Sequence, residues 1–145
     1  MCSGACVHKV MFSSARIDWA TPSHVYDALN REFRFTMDPC ELGDAGGLFG
    51  RRDGLMQSWK GQRVYCNPPY GPGIRDWLDR AKETELAVYL LPARTDTSWF
   101  HEVILREATE IRFLRGRLRF SGSKNSAPFP SMVVIFRRLP DVREL

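Results

Sequence analysis

Residues 86–93 read LAVYLLPA, a run whose only side-chain polar group is the Tyr89 hydroxyl. It is far too short to cross a bilayer, and it lacks the alternation of a strand with one wet face. A continuous apolar run of this length reads as a strand buried on both faces, and such a strand needs a covering layer above and below. The flanking sequence supplies both. "IRDWLDRAKETE" precedes it with helical periodicity, placing Ile74, Trp77, Leu78 and Ala81 inward. "TSWFHEVILREA" follows as a second helix, with Asp96 or Thr97 as its cap.

The rest of the chain extends this alternation. "TPSHVYDALNREF" predicts a helix with Thr21 as cap, Pro22 at the first helical position, and Val25, Ala28, Leu29 and Phe33 on one face. "FRFTMD" (33–38) reads as a strand ending at Asp38-Pro39, and "RVYC" as a short strand ending at Asn67. "CELGDAGGLFGRRDGLMQSW" between them is glycine-rich and reads as a long loop with at most a short helix. "EIRFLRGRLRF" and "SMVVIFRRL" are two further strands, joined without a helix by "SGSKNSAPFP" and so expected to be antiparallel. The fold class is therefore α/β, a reduced Rossmann-like sheet, mostly parallel, with an antiparallel C-terminal strand pair. Residues 1–17 lack periodicity and read as a flexible arm, leaving 18–145 as one domain. Ligands of such sheets bind beyond the carboxyl ends of the strands. Three segments fall there: Asp38-Pro39, Asn67 to Tyr70, and Pro92 to Asp96.

The middle segment, "VYCNPPYGP", carries chemistry. Proline fixes φ and has no N–H, so Pro68 and Pro69 make a stiff loop that offers carbonyl acceptors without donors. Asn67 adds a side-chain acceptor and Tyr70 a flat ring. Together they suit an amino group on a planar ring. Two fixed acceptors, Asn67 and the Pro68 carbonyl, would hold both amino hydrogens while Tyr70 stacks on the base. They favour a pyramidal nitrogen whose lone pair can attack an electrophilic methyl group, and they stabilise the positive charge that develops on it. A bare Pro-Pro pair would read as a strand-ending turn; asparagine before it and tyrosine after it reverse that preference.

Charge narrows the partner. The chain is +4, but residues 106–145 hold nine basic and four acidic groups, so this segment is +5 and the remainder −1. A basic C-terminal third suggests a polyanionic partner, nucleic acid first, while a solvated basic face fits the same charge. The four cysteines form no Cys-x-x-Cys pairs, so no metal site is expected; Cys40 and Cys66 read as small buried thiols at strand ends, in a reducing compartment. The first residues, "MCSGACVHKVMFSSAR", hold no long apolar core, so no secretory signal is expected, and no apolar run is long enough to span a bilayer.

The "NPPY" loop resembles the catalytic motif of S-adenosylmethionine-dependent amino methyltransferases. Longer stretches narrow the resemblance: "DWATPSHVYDALNREFRFTMDPC", "W-KGQRVYCNPPYG", "LLPARTDTSWFHEVI", "IRFLRGRLRF" and "APFPSMVVIF" are similar to the phage-type Dam family of DNA N6-adenine methyltransferases, from about Asp18 to Phe136. The resemblance implies a methyl donor, S-adenosylmethionine, a double-stranded DNA substrate, and a target adenine turned out of the duplex. It implies that Asn67, Pro68, Pro69 and Tyr70 are the catalytic loop, and that Thr21, Pro22, Asp38, Pro39 and Asp53 bind the cofactor. It also implies a phage- or prophage-encoded protein acting in the bacterial cytoplasm, with a short target such as GATC. The chain departs from larger methyltransferases in one place. Only 28 residues separate Asp38 from Asn67, and no Phe-x-Gly-x-Gly loop follows the first strand. This shortening leaves room for weak cofactor binding or for help from a partner subunit, such as a second copy in a homo-oligomer.

The DNA contacts are expected from the basic residues. Arg94 would meet phosphate beside the target base. Arg115, Arg117 and Arg119 alternate on a predicted strand and so share one face, while Lys124 and Asn125 lie in the loop best suited to base readout. Trp19, Trp59 and Trp77 read as core residues, and Phe129 as a packing residue. Two rival functions stay open: methylation of another planar amine, in an RNA base or a protein glutamine, and a nucleic-acid-binding relative without turnover.

Overall fold

The computed structural model describes residues 19–40 and 54–138. The expected arm, Asp53, the middle of the glycine-rich loop and the extreme C-terminus lie outside the described residues. In chain order the elements are α1 (Ser23–Phe33), β1 (Arg63–Cys66), α2 (Ile74–Asp79) continued by a 3-10 turn (Arg80–Glu83), β2 (Leu86–Pro92), a helical segment 98–107 containing a π-helical stretch (Phe100–Ile104) and α3 (Leu105–Glu107), β3 (Glu110–Phe113) and β4 (Ser131–Arg137). No helix among them is long and apolar enough to cross a membrane.

The four strands form one sheet in the order β1-β2-β4-β3. β2 is buried at every position, as its sequence demands. Its side chains alternate between two apolar layers. Ala87, Tyr89 and Leu91 join Val64 and Cys66 of β1 and Met132, Val134 and Phe136 of β4 against α2 and segment 98–107. Leu86, Val88 and Leu90 join Tyr65, Val133 and Ile135 on the other side, against Leu29 and Phe33 of α1 and Phe120, Ala127 and Phe129 of the loop before β4. The inward residues expected on α2 and its 3-10 extension, Ile74, Trp77, Leu78 and Ala81, are all buried.

The parallel core is smaller than the sequence suggested. β1 pairs with β2 in parallel, while β4 runs antiparallel to both β2 and β3. The C-terminal pair is thus antiparallel as expected, and β4 is the reversed strand inserted beside β2. The predicted strand 33–38 is reduced to one parallel bridge, Met37 to Val64. Helix α1 runs through Phe33 instead, and Arg34, in the left-handed region at φ 51°, closes it by donating from its N–H to the Asn30 carbonyl. The predicted strand 110–120 ends at Phe113, because its partner β4 starts only at Ser131. Leu114 N–H still donates to the Ser131 carbonyl at 3.0 Å, but Pro130 before it has no N–H to extend a ladder. Gly116, at φ 73°, then turns the chain away.

Two other local expectations change. Pro22, not Thr21, is the N-cap of α1, with no side-chain cap bond, and Ala28 is exposed rather than inward. At the start of segment 98–107 Thr97 is the cap, its Oγ1 accepting from the Phe100 N–H at 3.3 Å. The buried Cys40 and Cys66 are both free thiols, as expected.

Helix α1 is fastened to the sheet by arginines. Arg63 donates from Nε to the Phe33 carbonyl at 2.8 Å, satisfying an orphan carbonyl at the helix end. Arg112 of β3 makes a two-pronged bond to Glu32 at 2.7 Å on each arm and lies over the Phe33 ring. The Arg112 guanidinium holds the Glu32 carboxyl below its ordinary range. The unfolded chain therefore binds that proton more tightly than the folded one, so the contribution is complete above the ordinary glutamate range near pH 4.5 and is lost as pH falls through the depressed folded value. The pair is half-exposed and worth at most about 1 kcal/mol. Thermal unfolding at pH 7 should therefore place Glu32→Gln a few degrees below the parent protein, and the gap should close as the pH is lowered below 4.

Candidate active site

The strand directions bring the chemistry to one edge. β1 and β2 are parallel, and Met37 bridges Val64 in parallel, so Asp38, Asn67 and Arg94 all follow carboxyl ends on the same side of the sheet. Antiparallel β4 begins at that edge, with Ser131 opposite Pro92 and the Ala93 N–H donating to the Pro130 carbonyl at 2.9 Å. The 114–130 segment therefore also hangs over the site.

Asn67 is the centre of the arrangement. It is buried, and its amide is held on both ends. Nδ2 donates to the Trp19 carbonyl and to Thr21 Oγ1, the latter at 3.2 Å. Oδ1 accepts from the Tyr70 hydroxyl at 2.8 Å, and the same hydroxyl also lies 3.1 Å from the Leu90 carbonyl. Two acceptors around the nitrogen and a donor at the oxygen fix which way the amide faces. The Thr21 hydroxyl, freed from capping α1, instead meets Asn67 and, at 2.5 Å, the Tyr65 hydroxyl. Burial pushes the Tyr65 phenol well above its usual pKa, so it stays protonated.

Two cavities flank the Asn67–Tyr70 hydrogen bond. One, of about 420 Å³, is lined by Trp19, Thr21, Tyr26, Asp27, Asp38 and Asn67, among others. Its size suits a small-molecule site, and its two carboxylates favour a cationic or hydroxyl-bearing ligand. The other, of about 390 Å³, is lined by Trp19, Tyr70, Gly71, Arg94, Pro128 and Phe129. It is walled by aromatic rings, Phe129 meeting Trp19 at 5.4 Å and Tyr70 at 5.7 Å, both edge-on, with the Arg94 guanidinium 5.9 Å from the Phe129 ring centre. A planar ring with an anionic neighbour fits that wall. Among the described residues no group of acidic, histidine and cysteine side chains is arranged to hold a metal ion.

The expected site residues divide accordingly. Thr21, Asp38 and Asn67 line the first cavity and Tyr70 and Arg94 the second, while Pro68 is buried, Pro69 is half-buried, and neither lines either cavity. Pro22 and Pro39 are buried supports, Pro39 receiving the close approach of Gly54. Asp38 Oδ1 accepts from the Cys40 N–H at 3.0 Å, which shapes the turn after the bridge. Arg115, Arg117 and Arg119 are exposed but on irregular chain, not on a strand face, and Arg119 donates to the Ser123 carbonyl within its own loop. Lys124 and Asn125 are exposed on that loop. The loop is tied to the site: the Ser121 N–H donates to the Ala20 carbonyl and Ser121 Oγ to the Thr21 carbonyl, while Phe120 and Phe129 pack on Trp19.

Several residues that the sequence does not single out also line the two cavities. Trp19 is half-buried and walls both cavities rather than filling the core, whereas Trp59 and Trp77 are buried as expected. Phe129 packs, as expected, but in packing it forms the second cavity. Ser23 and Asp27 both line the first cavity, and their i,i+4 spacing on α1 was a legible polar face. A Cβ at Gly54 would sit 2.1 Å from the Pro39 carbonyl oxygen and 3.0 Å from the Trp77 ring. Gly54→Ala should thus lower stability by about 1–3 kcal/mol, measurable by urea unfolding, by displacing the Asp38-Pro39 turn.

A family model described as "DNA N-6-adenine-methyltransferase (Dam)" matches residues 10–144. No curated protein and no solved structure matches the chain.

Proposed function

This chain belongs to the DNA N-6-adenine-methyltransferase (Dam) family, and on that premise we propose that it methylates the N6 amino group of adenine in double-stranded DNA at the Asn67-Pro68-Pro69-Tyr70 loop, using S-adenosylmethionine. The observation that carries the reading is the Asn67–Tyr70 hydrogen bond at the junction of two unlike cavities, one acidic and one aromatic. Its sheet is read as a reduced Rossmann-like sheet, on the support of the parallel β1–β2 pair and a site at the carboxyl edge.

In this reading Thr21, Asp27 and Asp38 hold the cofactor in the first cavity, with Pro22 and Pro39 fixing the backbone around them. When bound, S-adenosylmethionine supplies an electrophilic methyl group on a sulfonium centre. The carboxylates of Asp27 and Asp38 suit its cationic groups, and the aromatic walls suit its flat base. The target adenine, turned out of the helix, occupies the second cavity among Tyr70, Trp19 and Phe129. Asn67 Oδ1 has a second lone pair beyond the one used by Tyr70 and accepts one N6 hydrogen; the Pro68 carbonyl accepts the other. These fixed acceptors stabilise positive charge on the nitrogen as it is alkylated, and the surplus proton then passes to solvent. Arg94 meets the phosphate beside the flipped base, and Arg115, Arg117, Arg119, Lys124 and Asn125 contact the duplex.

Incubation with labelled S-adenosylmethionine and unmethylated DNA, followed by nucleoside analysis, should place label in N6-methyladenine. Asn67→Ala should reduce that label by about 100-fold or more. Label in RNA or protein alone would overturn the DNA assignment, and cofactor binding without any transfer would leave a binding module. Replacing Arg117 and Arg119 with alanine should weaken DNA binding for all sequences and flatten the salt dependence by about one log-log unit per lost phosphate contact.

A further inference from the structure

Tyr65 projects from β1 toward α1 and is only 1 % exposed. Its ring is gripped edge-on by Tyr26 at 5.1 Å and tilted against Phe35 at 5.3 Å, so packing, not the hydroxyl, sets its position. The hydroxyl makes one hydrogen bond among the described residues, to Thr21 Oγ1 at 2.5 Å. A buried phenol that keeps its proton needs an acceptor for it, and Thr21 Oγ1 is the acceptor at hand. A threonine hydroxyl has two lone pairs and one hydrogen. The Asn67 Nδ2 group can only donate, so it occupies one lone pair. Tyr65 occupies the other. The Thr21 hydrogen is then left to point elsewhere, and Thr21 lines the acidic cavity.

We propose that Tyr65 is a positioning residue: by donating to Thr21 it turns the Thr21 O–H into the acidic cavity as a donor, and it secures the acceptor that holds the Asn67 amide. This inference rests on the methyltransferase reading of that cavity. Asp27 and Asp38 repel a carboxylate, so an inward-pointing hydroxyl marks where the carboxylate of a zwitterionic amino-acid group can lie, with its ammonium toward the aspartates. The pair Tyr65–Thr21 thereby sets the direction in which the amino-acid end of the ligand is bound.

Calorimetry with two probes tests this. S-adenosylhomocysteine carries the amino-acid end, and 5′-methylthioadenosine lacks it. Tyr65→Phe, which keeps the ring, should weaken S-adenosylhomocysteine binding about 5- to 20-fold and leave 5′-methylthioadenosine within about twofold of the parent protein. Thr21→Val should show the same selective loss, Thr21→Ser should restore binding, and the double variant Tyr65→Phe/Thr21→Val should be no weaker than Thr21→Val alone. Equal loss of both probes in Tyr65→Phe, or no loss of either, would overturn the proposal, as would parent protein that binds neither probe. Parent protein that shows the selective pattern but puts no label in DNA adenine would overturn the substrate assignment alone and leave the positioning role standing.

Discussion

Burial of β2 on both faces is the constraint from which the architecture follows. A strand with no exposed side chain cannot be stable until something covers each side. On one side the cover is α2 and segment 98–107; on the other it is α1 with the 114–130 loop. The second cover is the thinner, because a single helix does not span the sheet. The loop completes it by burying Phe120, Ala127 and Phe129. The residues that finish the core therefore also overhang the carboxyl edge, and the site is built from the rim of that covering layer.

This explains why the site depends on contacts distant in sequence. Trp19 and Thr21, ahead of α1, hold the amide of Asn67 at the end of β1. The same short segment is paired with Ser121 from the loop. Anything that loosens α1 from the sheet, whether at the Arg112–Glu32 pair or at Arg63 beneath Phe33, acts on Asn67 through Thr21. The amide has no freedom of its own: its orientation is the sum of a backbone carbonyl and a threonine hydroxyl from the segment ahead of α1 and a tyrosine hydroxyl from its own loop.

Much of the fold was legible. The apolar run of β2, the inward stripe Ile74, Trp77, Leu78 and Ala81, the strand before Asn67 and the antiparallel final strand all follow from periodicity and turn chemistry. The errors share a cause. Phe33–Asp38 and Leu114–Phe120 alternate like strands, yet a strand requires a partner with free N–H and carbonyl groups. In the first stretch only Met37 forms a bridge to β1, beside the Thr36 N–H that meets the Arg63 carbonyl, and Pro130 removes the donor that the second would need. Thr21-Pro22 looked like a cap because threonine before proline usually is one; the buried Tyr65 and Asn67 offered its hydroxyl stronger partners. Arg115, Arg117 and Arg119 are exposed, but the face they would share is a property of a strand that does not form.

The sequence by itself determined the stiffness of the loop after β1 and the acceptors it offers, because an asparagine, two prolines and a tyrosine at the end of an apolar strand restrict the backbone locally. Family membership came from the same source, through a match covering residues 10–144. Tertiary structure alone decided the division into an acidic and an aromatic cavity, the use of Trp19 as the wall between them, and the direction of the Asn67 amide. The two acceptors that hold the amide nitrogen, on Thr21 and Trp19, lie 46 and 48 residues away from Asn67 in the chain, and their approach depends on both layers closing over β2. No local pattern encodes such a meeting; it exists only once the sheet is covered.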